Sequence, residues 1–370
     1  MKASPHFDVL LTGPLFLDIV FTGLPHPPRV GTEVWAEGMG TLPGGIANLA
    51  VACARLGLTS ALATSFGDDA YGQWCAKILT EERIDLSRSR ITPGLHTNVT
   101  VSYACAGDRT MITHGHPLGV TTDELIGPVP HTAAVAMDLT PERAGELWWR
   151  VAANRGAKIF ADVGWDPEEE WDPGLLAPLS SCYAFTPNEV EAMAYTGTSE
   201  PLLAARALAE RVPLAVVTCG SKGAIAVDSS TGEEASAPAL AVDAIDPTGA
   251  GDVFISGLMA ANLAGRPLGE QLAFATLVSS LAVQQFGGSL AAPGWGDLVD
   301  WNACRERGQF GSEVAERYAF LPELLPKTQC AQVRRADATI ARLSDVGSNS
   351  ARRSGMRFTS RRRRPSRRSS

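Results

Sequence analysis

Apolar positions along this chain follow two periods. Compact apolar runs at 7–13, 133–137, 158–161, 182–185, 214–218 and 224–227 read as short buried strands. Between them, apolar residues recur every three or four positions at 46–57, at 141–155, from 190 onward, from 253 for about four turns, and at 271–285, which predicts helices. Strand and helix alternate with short links. That pattern predicts an α/β fold, a three-layer αβα sandwich with a mostly parallel central sheet. Two stretches depart from it: 13–42 and 96–116 are rich in Pro, Gly and short polar–apolar alternation, and Gly107-Asp108-Arg109 reads as a hairpin turn. These two form a small β-sheet lid. The organisation expected is therefore a discontinuous core of 1–12, 43–95 and 117–326, a lid of 13–42 and 96–116, and a tail of 331–370. A further strand is predicted at 238–245.

Charge sharpens the division. The formal net charge is −8, but 12 of the 32 Lys and Arg residues and 2 of the 40 acidic residues lie in 331–370, so the first 330 residues carry 20 against 38, or −18. An acidic body bears a basic tail. The tail's Arg runs, with Ser, Gly and Pro between, lack the apolar residues a core needs and predict disorder. Phe358 is the single aromatic among these arginines, short of the interleaving that nucleic-acid contact would favour, so a solvated tail is the expectation. Seven cysteines without CxxC spacing argue for free thiols. Neither a leader peptide nor an apolar run long enough to span a bilayer is visible, which gives a cytoplasmic, membrane-free expectation.

The candidate chemistry gathers where strands hand over to helices. Asp246-Pro247-Thr248-Gly249-Ala250-Gly251-Asp252 precedes an apolar helical run of about four turns. A glycine turn opening a helix offers backbone amides and positive dipole to an anion, and Gly lets a ligand come close. Asp252 there is either a first-turn acid that favours the dipole or a base beside a phosphoryl group. Gly44-Gly45 opens a second small-residue helix carrying Asn48. Asp18 sits alone in the apolar run 15–21, either solvent-facing or gripping hydroxyls, which a carboxylate accepts well. Asn188-Glu189-Val190-Glu191 reads as a helix N-terminus, and Thr218-Cys219-Gly220-Ser221-Lys222-Gly223 as a glycine turn between strands. No Gly-x-x-x-x-Gly-Lys-Ser/Thr loop occurs. His114 and His116 predict a surface or substrate-rim role.

Asp, Pro, any residue, Gly-Ala-Gly-Asp, three residues and Ser256-Gly257 resemble the C-terminal signature of the ribokinase-like carbohydrate kinases, the PfkB family. Gly44-Gly45, Asn48 and the helix ending Leu56-Gly57 are similar to its N-terminal signature, although only Ile46 and Ala47 separate Gly45 from Asn48 where many members place three residues. The resemblance covers about residues 7 to 325. It implies an ATP-dependent kinase acting on a primary hydroxyl of a sugar or sugar-like compound, with a nucleoside kinase or a catalytically silent nucleotide-binding regulator as alternatives. It further implies Asp252 as base and Gly249, Ala250 and Gly251 as anion hole. Asp18, Gly44, Gly45 and Asn48 would bind the acceptor. Asn188, Thr218, Gly220, Ser221 and Gly223 would bind ATP, Lys222 would neutralise its phosphates, and Glu191 would hold Mg2+ through water. Asp246, Thr248, Ala282, Gln285 and Gly287 would surround a monovalent cation such as K+, and a homodimer would form through the lid. After Asp162, Gly164 and Asp166 stand where keto-sugar relatives carry Asn and Arg, which counts against that subgroup.

Overall fold

The computed structural model describes residues 6–105, 108–117, 119–166, 168–327, 333 and 339–340. Its first half runs β1 (His6–Thr12), β2 (Leu15–Thr22), β3 (Gly38–Gly45), α1 (Ile46–Arg55), β4 (Ser60–Ala63), β5 (Ser65–Gly67), α2 (Ala70–Glu81), β6 (Arg90–Thr92), β7 (Asn98–Cys105), β8 (Asp108–His114), α3 (Thr122–Ile126) and β9 (His131–Asp138). The second runs α4 (Trp148–Asn154), β10 (Lys158–Asp162), β11 (Ala184–Phe185), α5 (Glu189–Thr196), α6 (Pro201–Ala209), β12 (Leu214–Thr218), β13 (Ala224–Asp228), β14 (Glu233–Ala237), α7 (Ala250–Leu263), α8 (Leu268–Ala282), α9 (Gly288–Ala291), α10 (Trp295–Glu306), α11 (Ser312–Arg317), α12 (Leu321–Leu324) and β15 (Thr339–Ile340).

The main sheet has the order β14-β13-β12-β11-β10-β9-β1-β4. It is parallel from β12 to β4, and β13 and β14 close one edge antiparallel. Successive side chains of a strand point to opposite faces, and here both faces are buried. Leu10, Val135, Ile159 and Ala161 pack with Trp148, Trp149 and Leu208 on one side. Val9, Leu11, Ala134, Ala136 and Phe160 pack with Leu49, Leu258, Met259 and Leu272 on the other. That split explains why these strands read as near-continuous apolar runs, and it produces the expected three layers.

A second sheet has the order β15-β3-β2-β7-β8, with β2 parallel to β7 and its other pairings antiparallel. β2, β7 and β8 fall within 13–42 and 96–116, and β3 runs on to Gly45. Of the expected hairpin turn, Asp108 and Arg109 belong to β8, paired with Cys105 and Ala104, and Gly107 lies outside the described residues. The sheet's inner edge rests on the core through glycines. Added side chains at Gly40 and Gly287 would stand 2.6 Å from the Phe286 ring and from Leu42 Cδ2. Apart from Val333 and β15, the tail lies outside the described residues.

Two expectations are corrected. Residues 238–245 form no strand. β14 ends at Ala237, and the following chain is held by α8 instead of a strand: Leu240 N donates to Ser280 Oγ at 3.3 Å, and Ile245 N to the Val283 carbonyl at 2.7 Å. The predicted helix 141–155 is broken into a 3-10 turn at Pro141–Gly145 and α4. Asp123 Oδ1 caps the new start by accepting from Trp148 N at 2.8 Å, while Trp149 Nε1 donates to the Arg143 carbonyl at 3.1 Å. A cap from outside the segment, Asp123, and a side-chain bond within it thus override its helical period.

Helix α7 is buried from Val253 through Asn262. Apolar on all sides, it is a core helix. It lies against α8 so closely that a Cβ on Gly257 would be 2.5 Å from Val278 Cγ2 and 2.9 Å from Ala275 Cα. The Ser256-Gly257 pair of the sequence signature thus has a packing role: it lets α8 seat α7 and fix where the α7 N-terminus points.

Candidate active site

The α7 N-terminus opens at the carboxyl ends of the strands, where ligands collect in open α/β sheets. Gly249 takes the left-handed conformation at the N-cap (φ 73°), and no side chain caps the helix. A Cβ there would meet Gly288 Cα at 3.1 Å and Asn48 Cγ at 3.2 Å, so the turn needs glycine for space as well as for its backbone angle. Asp246 braces the turn from below. Its buried carboxylate accepts from Thr248 N at 2.9 Å and from Gly287 N at 3.1 Å. Ala250 N donates to the Pro247 carbonyl at 3.1 Å, which leaves the next amides of the first turn to face a ligand.

Two cavities meet at this helix end. One, of about 220 Å³, has Asp252 in its wall together with Gly45, Phe16, Asp138, Asp162 and Thr186. The other, of about 440 Å³, is lined by Ala250 and Gly251 of the same turn and by Thr218, Gly220, Ser221 and Gly223. Asp252 and the amides beside it therefore stand between two ligand-sized spaces.

Around the smaller cavity, Asn48 Nδ2 donates to Asp252 Oδ2 at 3.1 Å. Asn48 is buried, and a Cβ on Gly288 would stand 2.5 Å from its Oδ1, an atom with no hydrogen-bond partner among the described residues. Asp18 is buried in β2 with its carboxylate against Gly44, where a Cβ would be 1.9 Å from Oδ2. Of the predicted acceptor residues only Gly45 lines the smaller cavity, and Asp18, Gly44 and Asn48 lie beside it and not in its wall. The shortened spacer after Gly45 is absorbed without distortion of α1, which begins at Ile46.

Sequence reasoning missed the role of two carboxylates. Asp138 and Asp162 end β9 and β10, are register partners, and both line the smaller cavity. Burial, and then the charges of Asp138, Glu191 and Asp252, hold the Asp162 carboxyl well above the usual carboxylate range. Burial likewise raises Asp138, with Arg143 partly opposing it. The signal was available as acids closing two apolar strands at the ligand-bearing edge of the sheet.

On the other side, Thr218, Gly220, Ser221 and Gly223 line the larger cavity as expected, whereas Asn188 does not. Asn188 caps α5, accepting from Val190 N at 2.9 Å and Glu191 N at 3.0 Å, while Glu191 Oε2 accepts from Asn188 N at 2.9 Å. This reciprocal capping box ties the two residues together, and a bridge between Asn188 and Thr218 sets them beside the glycine turn. Burial raises Glu191, and its bonds to Asn188 oppose the shift. The orphaned buried Oδ1 of Asp162, near Glu191, fits a hard cation held through water. Lys222 is exposed and paired with Glu189 at 2.9 Å.

Of the residues expected around a monovalent cation, Asp246, Thr248 and Gly287 are joined by the brace described above. Gln285 N donates to the Ala282 carbonyl at 2.9 Å. Thr248 Oγ1 is buried and has no partner among the described residues. At the lid base His96, His114 and His116 cluster, with the His114 and His116 rings 5.1 Å apart, and all three are solvent-facing or nearly so.

The family model for pfkB family carbohydrate kinases matches residues 30–294, a span that includes both cavities' glycine turns and Asp252. The chain belongs to the pfkB carbohydrate kinase family. This pfkB protein is similar to a fructokinase of Klebsiella pneumoniae, 31% identical over 72% of this chain and 92% of the relative. It is also similar to a cytidine kinase of Thermococcus kodakarensis, 28% identical over 69% of this chain and 91% of the relative. Its fold is that of Arabidopsis thaliana ribokinase, solved with ribose and ATP, with a TM-score of 0.64 over 79% of this chain and 96% of that one, at 24% identity. The pfkB chain is thus a sugar or nucleoside kinase by family.

Proposed function

We propose that this pfkB kinase transfers the γ-phosphoryl group of ATP to a primary hydroxyl of a monosaccharide held in the smaller cavity. The observation that carries the reading is the placement of one helix N-terminus between two cavities, with Asp252 facing one and Ala250 and Gly251 lining the other. ATP lies in the larger cavity, along Thr218, Gly220, Ser221 and Gly223. Asp252 accepts the acceptor's proton as the new oxygen–phosphorus bond forms and the bond from the γ-phosphorus to the bridging oxygen breaks, releasing ADP. Of the expected anion hole at Gly249 to Gly251, the Ala250 amide is taken by the Pro247 carbonyl, so the Gly249 and Gly251 amides stabilise charge on the transferred group. Asp162 and Glu191 are the residues that would hold Mg2+ through water. When bound with the nucleotide, the ion neutralises phosphate charge.

A monosaccharide suits the smaller cavity better than a nucleoside does. At about 220 Å³ it falls below the roughly 300–1,000 Å³ of sites that enclose drug-sized ligands. The lid sheet supplies water exclusion, since β2 carries Phe16 into the cavity wall.

The test is Asp252→Asn. Nucleotide binding should stay within about threefold of the parent while turnover with the best sugar falls by about 10²–10⁴, the range for removing a general base. Unchanged turnover would remove Asp252 from the reaction.

A further inference from the structure

The core gives the smaller cavity its polar groups, and the second sheet gives it an aromatic ring. Asp138, Asp162 and Thr186 reach the cavity from the carboxyl ends of the parallel strands, and Asp252 reaches it from α7. Of the second sheet's strands, only Phe16 and Gly45 line the cavity among the described residues, and glycine has no side chain to offer. Phe16 is half-buried in β2. Leu15 and Leu17 on either side of it are buried in the apolar core, and the strand's alternation turns Phe16 to the other face. Its ring lies against the bare backbone of Gly45, where a Cβ would stand 2.6 Å from Phe16 Cδ2 and 3.1 Å from Cε2. Gly45 also takes φ 62° at the N-cap of α1, a conformation that favours glycine. The ring is thus seated on one side and open to the cavity on another.

Resting on the kinase reading above, we infer that Phe16 is a specificity-determining residue: a platform for the C–H face of the acceptor, which is therefore taken as a closed furanose or pyranose ring and not as an open-chain polyol. A sugar ring is amphipathic. Its hydroxyls stand round the rim, where carboxyl and hydroxyl groups of the wall can pair with them. Its C–H bonds carry slight positive charge, which the negative face of an aromatic ring attracts. The cavity has the same division, with polar groups arriving from the core and Phe16 from the second sheet. A few placed polar groups on a mainly apolar wall fix a ligand's orientation in this way. Reducing a sugar to its polyol keeps the hydroxyls, removes the ring face and adds rotatable bonds that binding must freeze.

The experiment compares matched uncharged acceptors on the full-length protein with ATP and Mg2+: D-ribose against ribitol, and D-fructose against D-sorbitol. The ring member of each reactive pair should exceed its open-chain partner by about 30-fold or more in kcat/KM. Phe16→Ala should raise KM for the ring sugar by about 10-fold to 100-fold, leave kcat and the KM for ATP within about threefold, and narrow the ring-to-polyol ratio by about tenfold. Two further variants separate a platform from mere packing. Phe16→Leu keeps apolar bulk without a flat face and should narrow the ratio as Phe16→Ala does, whereas Phe16→Tyr keeps the face and should hold the parent ratio. If Phe16→Leu matches the parent, or Phe16→Ala changes neither KM nor the ratio, the ring only fills space and the inference falls. Equal or better use of the polyols by the parent also overturns it while leaving the kinase reading intact. The same compounds are titrated calorimetrically against the protein holding a non-hydrolysable ATP analogue. Preferential binding of ring sugars that is lost in Phe16→Ala, without any turnover, would uphold the platform and remove the kinase reading. Binding of polyols as tightly as ring sugars, or of neither kind, would overturn the platform.

Discussion

Asn48 illustrates how much of the site depends on single atoms. Its amide fixes Asp252 at 3.1 Å, and it fits only because Gly249 and Gly288 leave room beside it. A donor on the proposed base keeps the carboxylate aimed. Asn48→Ala should therefore lower kcat by about 10-fold to 100-fold, with a smaller effect on KM for ATP. An unchanged kcat would reduce Asn48 to a packing residue. Asp162 carries a prediction of opposite sign. Its folded-state pKa is raised, so the folded protein binds a proton that the unfolded chain releases near 3.8. Stability from this group is full below that value and falls as pH rises toward the folded pKa. Asp162→Asn should accordingly raise the melting temperature of the ligand-free protein at pH 7 and have little effect at pH 3.5. A lower melting temperature at pH 7 would contradict the shift. The sequence carried Asp252, Asn48 and the glycines because their spacing is local. It hid the Asp138–Asp162 pair, whose members are far apart in the chain and meet only through strand register.

Among the elements, α7 and α8 decide where the chemistry sits. Their contact has no slack at Gly257, which stands between Val278 and Ala275. Gly257→Val should destabilise the protein by about 1–3 kcal/mol or more, read as a shift in denaturant midpoint, because overpacking forces one helix from the other. A midpoint unchanged from the parent would show that the helices have room to part. Element types were legible wherever one period dominated, as in the parallel strands and in α1, α7 and α8. They were not legible at 238–245, where strand-like residues lie along α8 without a ladder partner, or at 141–155, where Asp123 caps a new helix start at Trp148. Both failures have one cause: bonds to distant residues that a sequence window does not contain.

For the molecule as a whole, the proposed function has the two-cavity plan separate holding the nucleotide from using it. A non-hydrolysable ATP analogue at about 100 times its Kd should stabilise the protein by about 2.7 kcal/mol, and should do so equally in the parent and in Asp252→Asn. Loss of that stabilisation in the variant would mean that Asp252 belongs to the nucleotide side. The acidic body and the small second sheet were visible in composition and alternation. What composition did not show is how that sheet is joined to the Gly249 turn.

The joint is Phe286. Its ring sits under the bare backbone of Gly38 and Gly40, and the next residue gives its amide to Asp246, which in turn holds Thr248 at the start of the Gly249 turn. In the proposed kinase, a small sheet that opened as a lid would have to slide off this ring, and the ring is one residue from the clasp at the Gly249 turn.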